Sequence, residues 1–476
     1  MLLGMAAQTA GADPGTLFVT PLGSGTACTQ AQPCGLQTAL AQATDGDTLY
    51  LAGGTYTGAG DEVVKITHSI HVYGGWDGAP AGPLVRDPAA HVTTLDGQGQ
   101  RRVVFIRGDI SPTLDGLTVT GGNASAAKTD PCIGGGIHSL DASPVIQHNV
   151  VVSNMASITP TTSGNGGGIY LSYAPASAVI SGNLVLSNTA AVGTSGGGGG
   201  IYLWQSDATV RGNLVQGNTC TRYGAGVYAY GGAPRLMDNE LRGNVAARNG
   251  GGMYLSESSA LLQGNLIVGN MAGWNGGGLL VVHGSATISA NRILSNTADS
   301  SGGMGLEMAG HFTVTNNVIA HNSTEGIMLW EPPLQGLIAH NTIAYNGGMG
   351  AIYLANGYVT PTIVNNIVVS NTYGIYAHAD ASGTLDYNDV WGNTTQDYGS
   401  SGALEPGAHD IQADPRLVNP AGDDYHLRFG SPCIDVGVDA GVTTDLEGDP
   451  RPLGAGCDIG ADEYVARIYL PLVLRN

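Results

Sequence analysis

Acidic and histidine side chains that could do acid–base chemistry gather in one stretch of this chain. They are Glu307, His311, His321, Glu325, Glu331 and His340. Glu307 could take the outward slot that Tyr254 fills two repeats earlier. Trp330 and Glu331 of the following repeat would then lie near it. A carboxylate pair beside a tryptophan fits cleavage of a sugar chain. The alternative is a scatter of polar residues that simply face solvent.

Aromatic residues recur in the strand that follows each glycine cluster. The second strand position holds His138, Tyr170, Tyr202, Tyr228 and Tyr254, and later Tyr353 and Tyr376, while Trp204, Tyr230 and Trp330 stand two positions on. Because the flanking aliphatic residues should point inward, these rings are expected to point outward and to stack from repeat to repeat. Exposed rows of rings suit binding of sugars. The predicted carbohydrate-binding residues are Tyr170, Tyr202, Trp204, Tyr228, Tyr230 and Tyr254. The alternative is that tyrosine favours strands and packs well on itself.

A third set of polar residues lies near the C-terminus. Its carboxylates are Asp435, Asp439, Asp445, Asp449 and Asp458. Hard cations such as Ca²⁺ take oxygen ligands, so calcium is one interpretation, although no EF-hand spacing or GGxGxD repeat supports it. The alternative is that these acids accept hydrogen bonds from backbone amides in turns and pair with Arg451. No other cofactor is predicted.

The charge of the chain limits its partners. Only 17 of the 476 residues are lysine or arginine against 37 acidic residues, which gives a net charge of −20. Such a surface repels nucleic acid and anionic membranes, and it is compatible with neutral glycans and divalent cations. No stretch approaches the roughly 18 consecutive apolar residues of a membrane helix.

Six cysteines include two local pairs. Cys28 and Cys34 bracket one short loop, and Cys433 and Cys457 bracket another local segment. An even count with local pairs predicts disulfides and a location outside the cytoplasm. Whether Cys132 and Cys220 pair is left open by the sequence.

The elements that would position these residues are set by a repeat. An Asn-x4-Asn box begins at Asn149, Asn183, Asn213, Asn239, Asn265, Asn291, Asn317, Asn341, Asn366 and Asn388. Glycine clusters such as GGGIYL (198–203) precede most boxes, and short alternating runs lie between. This pattern predicts an all-β solenoid with three short strands per rung. Asparagine is expected at the bends because it tolerates the left-handed conformation, and its amide should form ladders between rungs.

The boxes and glycine clusters resemble the right-handed parallel β-helix family, which includes pectate lyases, polygalacturonases and bacterial surface proteins. The resemblance covers roughly residues 40–400 and implies the right-handed coil. It also implies that the short helix over LQTALAQA caps the open end. The motifs SPCIDVG, EGDPRP and DIGADEY resemble a module that closes β-helices in bacterial secreted proteins. The catalytic motifs of the pectate lyases and polygalacturonases are missing from the sequence.

Five segments follow from these patterns. They are a signal-peptide remnant (1–12), an N-terminal cap with irregular first rungs (13–120), regular rungs (121–400), an Asp/Gly/Pro-rich closing module (401–465) and an apolar tail (466–476). The tail is read either as a brief surface anchor or as a last strand over the solenoid end.

Three functions are compatible with the sequence. The first is a secreted or cell-surface bacterial protein, monomeric and without a membrane span, that binds extracellular polysaccharide or acts in adhesion. The second is a polysaccharide lyase or glycosidase that uses Glu307 and Glu331. The third is a purely structural surface rod.

Overall fold

A computed structural model describes residues 15–126, 132–159, 163–193, 195–307, 310–331, 335–356, 359–378, 381–400 and 405–465. The predicted signal-peptide remnant and the apolar tail lie outside these residues. Within them the chain winds as a right-handed parallel β-helix, as predicted. Three long sheets of 14, 13 and 13 parallel strands run along the described part of the solenoid.

The three sheets are named A, B and C, and their strands are given in order along the solenoid axis. Sheet A contains Thr16–Val19, Thr48–Ala52, His71–Trp76, Thr113–Asp115, Val145–Gln147, Val179–Ser181, Thr209–Arg211, Arg235–Met237, Ser259–Gln263, Ser285–Ser289, His311–Thr315, Gln335–Ala339, Thr362–Val364 and Thr384–Asp386. Sheet B contains Glu62–Ile66, Arg102–Arg107, Ile137–Leu140, Ile169–Ser172, Ile201–Trp204, Val227–Tyr230, Met253–Ser256, Leu279–Val282, Met304–Glu307, Ile327–Trp330, Ile352–Leu354, Tyr373–Ala377 and Gln396–Ser400. Sheet C contains Gly54–Tyr56, Thr93–Asp96, Leu117–Thr120, Val150–Val152, Leu184–Leu186, Leu214–Gln216, Glu240–Arg242, Leu266–Val268, Arg292–Leu294, Val318–Ala320, Thr342–Ala344, Ile367–Val369 and Asp389–Trp391.

Smaller elements complete the described fold. A fourth, short parallel sheet follows the second asparagine of five rungs, with strands Met155–Ser157, Thr189–Ala191, Thr219–Cys220, Val245–Ala246 and Met271–Ala272. Two-stranded pairs are formed by Gly164–Asn165 with Gly196–Gly197, in parallel, and by Leu417–Asn419 with Asp424–Leu427, antiparallel. The one α-helix in the described residues, Leu36–Gln42, buries Leu36 and Ala39 against the core beside the first strands, where a cap was predicted. Single 3-10 turns lie at Ala124–Ala126 and Pro420–Gly422.

Each rung passes from sheet A to sheet C at the first asparagine of the box and leaves sheet C at the second. It then reaches sheet B through the glycine cluster. The inward side chains are aliphatic, and in one rung Ile201, Leu203, Val210 and Val215 have no exposed surface. Stacking these rungs forms one continuous apolar core along the solenoid.

The two predicted asparagine ladders are present. The first runs from Asn149 to Asn388 and the second from Asn154 to Asn393, with an amide–amide hydrogen bond at each step. In the first ladder, Asn265 Oδ1 accepts bonds from the backbone N–H and the Nδ2 of Asn239, both 3.0 Å. Asn265 Nδ2 donates to Asn291 Oδ1 (2.9 Å) and to the Leu236 carbonyl (2.8 Å). Every hydrogen-bonding position of this buried amide is therefore filled.

The bend itself is not made by the asparagines, so that prediction is wrong. The left-handed residue is the one before each asparagine, as at Ser295 (φ 55°), His321 (φ 57°) and Tyr345 (φ 57°). The asparagines lie inside the rung because their amides must reach the next rung in a dry environment, so their neighbours take the bend.

The C-terminal module lies against the outer face of sheet C. Leu417, Tyr425, Leu427 and Ile459 pack on sheet C residues such as Val369. This contact explains why late strands such as Val318–Ala320 are apolar on both faces, whereas Glu240–Arg242 has polar outer residues. The module thus runs back along the solenoid beside rungs that include Arg292, whose Nη2 donates to the Asp423 carbonyl at 2.6 Å.

The cysteines behave differently at the two predicted pairs. Cys28 and Cys34 form the predicted disulfide. Cys433 and Cys457 are not joined, so that predicted pair is wrong. Cys433 is buried against sheet C, where its Sγ lies 3.1 Å from Asp389 Oδ2. Cys457 instead forms an antiparallel β-bridge with Gly437 inside the module, where the Gly437 N–H donates to the Cys457 carbonyl.

Replacing Asn265 with alanine should lower the free energy of unfolding by at least about 3 kcal/mol, because it leaves two donors of Asn239 unpaired in the core. The exposed neighbour Gln263 gives the matched control, since Gln263→Ala should stay within about 0.5 kcal/mol of wild type. Urea unfolding followed by circular dichroism measures both. Equal stabilities of the two variants would contradict a structural role for the ladder.

Candidate functional site

The predicted aromatic column exists in the register expected. The backbone pairing aligns His138, Tyr170, Tyr202, Tyr228 and Tyr254 across successive strands of sheet B. Tyr170 and Tyr202 are stacked at 4.9 Å, and Tyr228 meets Tyr202 edge-on at 4.5 Å. Leu280 continues the column below Tyr254, and Gly305 interrupts it.

Most of this column is buried, which corrects the prediction of an exposed row. Tyr170 is 6% exposed, Tyr202 2% and Tyr254 8%, while Tyr228 is half-buried. Each ring lies beside the bare backbone of the preceding glycine cluster: a Cβ on Gly198 would stand 2.6 Å from Tyr202 Cβ, and one on Gly166 would stand 2.7 Å from Tyr170 Cβ. Because glycine has no side chain, the tyrosine rings can lie directly against the glycine backbone. Stacking on the neighbouring rings then covers much of the ring surface that is still exposed.

Burial also fixes the charge state of these phenols. It raises the pKa of Tyr202 well above its usual range, and it raises the pKa of Tyr228 to about 12. Both hydroxyl groups therefore stay neutral at physiological pH. The stacked rings of the column pack against one another from rung to rung.

Besides Tyr228, two of the six predicted binding residues are half-buried. Trp204 and Tyr230 stack on each other at 4.5 Å with an interplanar angle of 16°. Their partners on the outer sides are the small residues Ser172 and Ser256. A hydrogen bond to Glu257 raises the pKa of Tyr230. This pair, termed the sheet B pair, is the part of the predicted stripe that a ligand can reach.

The predicted acidic site is only partly assembled. Glu307 was predicted to take the position that Tyr254 fills two rungs earlier, but Gly305 occupies that position. Glu307 lies instead in the row of the sheet B pair, in register with Trp330. Burial, and then the charge of Glu331, raises the pKa of Glu307. Glu307 and Trp330 line a cavity of about 10 Å³. That volume holds about one water molecule and no sugar ring.

Three other members of this set contact parts of the fold, whereas His311 lies exposed in its strand of sheet A. Glu325 is buried and accepts bonds from the backbone N–H groups of Ser301 (2.8 Å) and Met349 (3.1 Å). His340 is buried against the module, and burial lowers its pKa to about 3. His321 stacks on Tyr345 of the next rung, with 5.0 Å between the ring centroids. These side chains do not converge on one site.

A groove between sheet C and the module was missed by the sequence analysis. It has a volume of about 260 Å³, and its aromatic walls are Tyr345, Trp391 and Phe429, which are 37%, 37% and 85% exposed. Arg416 and Arg428 line its rim, together with Asp414. This site is termed the junction groove.

The junction groove is fixed from both sides. On the module, Arg416 Nη1 donates to the Gly430 carbonyl at 2.8 Å, and Arg428 Nη2 donates to the Val418 carbonyl. On the solenoid, Tyr345 stacks on His321 on one side. In the next rung the position that corresponds to Tyr345 is occupied by Ser370, which also lines the groove. Sequence could point to the Tyr345 column, but not to the approach of residues 414–429.

The acidic residues of the module follow the turn alternative. Asp445 Oδ1 accepts the N–H groups of Glu447, Gly448 and Asp449 at 2.8–3.0 Å. Asp435 and Asp458 accept backbone amides in the same way. The predicted pairing of these aspartates with Arg451 is wrong, because Arg451 forms its ion pair with Glu463. The calcium interpretation gains no support from these contacts.

The sheets, the ladders and the glycine-seated rings define a right-handed parallel β-helix protein. The sequence matches the family described as "Periplasmic copper-binding protein (NosD)" over residues 143–296 and 197–402. Because these segments together span more than half of the chain, the chain belongs to the NosD family.

Solved structures of two other proteins align with the chain at low scores. Pectate lyase Pel9A has 14% identity and a TM-score of 0.39, with 94% of this chain and 96% of that chain covered. The A-module of mannuronan C-5 epimerase AlgE6 from Azotobacter vinelandii has 13% identity and a TM-score of 0.28, with 82% and 95% covered. Scores this low carry no argument about activity. No curated protein matches the sequence.

Copper, named in the family description, does not fit the segment that matches the family. In the described residues, just one group of three or more His, Cys, Asp or Glu side chains has converging ligand atoms, and it lies at 426–462, beyond the match. Within the match, Cys220 is buried, and burial raises the pKa of its thiol to about 12. None of the helices described is long and apolar enough to cross a membrane.

Replacing Gly198 with alanine tests the seat of the Tyr202 ring. Gly198 (φ 65°) and Gly212 (φ 60°) share the left-handed conformation, but nothing lies within 4 Å of a Cβ on Gly212. Gly212→Ala should cost about 1 kcal/mol from backbone strain alone. Gly198→Ala should cost about 1–3 kcal/mol more, because the new methyl group overlaps the tyrosine. Urea unfolding compares them, and equal losses would show that the ring does not need the glycine.

Proposed function

We propose that this chain is a periplasmic or surface protein that binds polysaccharide outside the cytoplasm. The family is described as periplasmic, and the Cys28–Cys34 disulfide is typical of proteins from oxidising compartments. A long rigid solenoid with little charge on its rungs suits contact with an extended polymer. That the protein is a monomer stays a prediction.

The observation that carries the proposal is the junction groove. Sugar-binding sites need aromatic faces that are open to solvent and held in place by the scaffold. Trp391 and Tyr345 are held by the stacked strands of sheet C, while Phe429 approaches from the module. A concavity of about 260 Å³ between them has room for about one sugar residue at a time.

The charge around the junction groove favours one kind of polysaccharide. Arg416 and Arg428 stand at its rim in a chain whose net charge is −20. Guanidinium groups bind carboxylates through paired hydrogen bonds. The rim therefore favours a uronate-containing chain over an uncharged one, with Asp414 as the one opposing charge among the lining residues described.

The sheet B pair is the second candidate surface for the same function. Trp204 and Tyr230 keep part of their edges exposed, and their outer neighbours are serines. Because the two rings cover each other's inner faces, a sugar could stack only on an outer face. Among the other rings of the predicted set, the buried Tyr202 lies beside Trp204, with 6.3 Å between the ring centroids, and meets Tyr228.

Cleavage of the bound chain is the alternative function. It rests on Glu307, whose pKa is raised by burial and by Glu331 and which lies beside Trp330 in register. Product release that is lost on both Glu307→Gln and Glu331→Gln would favour this alternative. The small cavity at Glu307 argues against it.

The test is retention of the protein on immobilised uncharged and uronate-containing polysaccharides. We expect the double variant Trp391→Ala/Phe429→Ala to lose roughly tenfold or more in affinity, because two stacking faces are removed. The matched control is Trp204→Ala/Tyr230→Ala, which also removes two rings but leaves the junction groove intact. Loss only in the control would move the site to sheet B. Full retention of both variants would contradict polysaccharide binding through aromatic rings and favour a structural rod.

A further inference from the structure

Three potential metal ligands from distant parts of the C-terminal module meet on one side of it. His426 lies in the strand Asp424–Leu427, Glu447 lies within the turn organised by Asp445, and Asp462 lies near the end of the described module. One ligand atom from each lies within 4.8 Å of the others. A single ion of about 2 Å bond length could therefore contact all three after small rotations.

The imidazole of His426 is already oriented for such a role. Its Nδ1 lies 2.6 Å from Asp424 Oδ1, while its Nε2 points to Glu447, at 3.4 Å from Oε1. Metal-binding histidines usually hold their second nitrogen against a carboxylate in this way, which fixes the tautomer and the direction of the ligand nitrogen. Asp424 is thus a positioning residue.

Asp462 is a buried carboxylate with an unused oxygen. It is only 9% exposed, and its Oδ2 accepts the Leu427 N–H at 2.8 Å. Among the hydrogen bonds of the described residues, none uses Oδ1. Burial raises the pKa of Asp462 to about 7, and the charges of Glu447 and Asp445 add to this rise, while the hydrogen bond from Leu427 and the charge of His426 oppose it. Keeping an acid in this position is costly unless a cation compensates for it.

The three residues line a cavity of about 510 Å³ that also contains Tyr464 and Asp449. This space is open to solvent, so an ion could enter without unfolding the module. It also leaves room for water molecules beside the three protein ligands. Three ligands with an open position are the arrangement of exchangeable and catalytic metal centres, whereas closed structural sites use four.

We propose that His426 Nε2, Glu447 and Asp462 bind a divalent transition-metal ion of the Zn²⁺ class. One imidazole with two carboxylates is a borderline-hard set that suits Zn²⁺. Cu²⁺ would bind the same ligands more tightly, following the usual order of divalent metals. The site does not depend on the proposed polysaccharide binding, because it shares no lining residue with the junction groove.

The competing arrangement is a protonated His426 held between its acidic neighbours without any ion. Burial lowers the pKa of His426, but the hydrogen bond to Asp424 and the charges of Asp462 and Glu447 outweigh it and raise the pKa overall. Arg292 lies near Asp424 and also neutralises part of this charge. The two arrangements differ in whether a metal ion displaces the proton.

Isothermal titration of the chelator-stripped, full-length protein with ZnCl₂ at neutral pH distinguishes the metal-bound arrangement from the protonated one. We expect one site per chain, with affinity roughly 10–100-fold weaker in His426→Gln, Glu447→Gln and Asp462→Asn. Asp424→Asn should lose about 10-fold, because the imidazole is no longer oriented. The same variants should weaken binding of CuCl₂ at this site.

His409→Gln is the matched control. His409 forms the same kind of pair, with Asp386 at 3.0 Å, but belongs to no group of three ligands in the described residues. Its affinity should equal that of wild type. Because Glu447 is exposed, Glu447→Gln should fold normally, and unchanged circular dichroism checks this. Absence of a one-to-one site, or unchanged affinity in folded Glu447→Gln, would overturn the proposal.

Discussion

The dry stacking of amide on amide in the two asparagine ladders sets the geometry on which the rest of the molecule depends. Each buried amide uses two donors and two acceptor positions, and all are satisfied only when the next rung lies in one register. A shift of one residue would leave several polar groups unpaired in the core. The ladders therefore hold the sheets in register, and the register places the rings of sheet B one above another.

The outer faces of the solenoid differ because of what covers them. In the rungs from Tyr170 to Tyr254, the outer face of sheet B is covered by its own tyrosines, which lie against the glycine backbone. Late sheet C is covered by the module, through contacts such as Leu427 with the apolar strands. The junction groove lies at the margin of this second contact, where exposed rings of sheet C meet Phe429. The His426 group lies on the same module, and its three ligands all come from the module itself.

The repeat made much of the fold predictable. Asparagine spacing predicted two ladders and the parallel stacking, and the glycine–tyrosine spacing predicted the aligned rings. The wrong predictions concern features that the alternation of inward and outward residues along a strand does not determine. An outward residue such as Tyr202 is not an exposed one when a glycine beside it leaves room for the ring. Likewise, the residue before each asparagine makes the bend because the asparagine is needed inside.

Contacts between distant segments were beyond the sequence. Nothing in the spacing of Cys433 and Cys457 showed that Cys433 would be buried against Asp389 instead. The junction groove joins Tyr345 and Trp391 to residues near 429, and the His426 group joins positions up to 36 residues apart. One signal was available: strands such as Ile367–Val369 are apolar on both faces, which predicts a cover without identifying it.

Both ladders end on an aspartate, Asp410 for the first and Asp397 for the second, each of which accepts the last asparagine's two N–H donors. A carboxylate accepts hydrogen bonds but has no N–H group to donate to a further rung, so each ladder ends at its aspartate. Between the two ends of a ladder, each asparagine accepts hydrogen bonds from the asparagine of the preceding rung and donates hydrogen bonds to that of the next rung. A gene encoding this protein could therefore gain or lose whole rungs by duplication or deletion of about 26 codons, and both ladders would still close. Length in this architecture is a count that evolution can change by one.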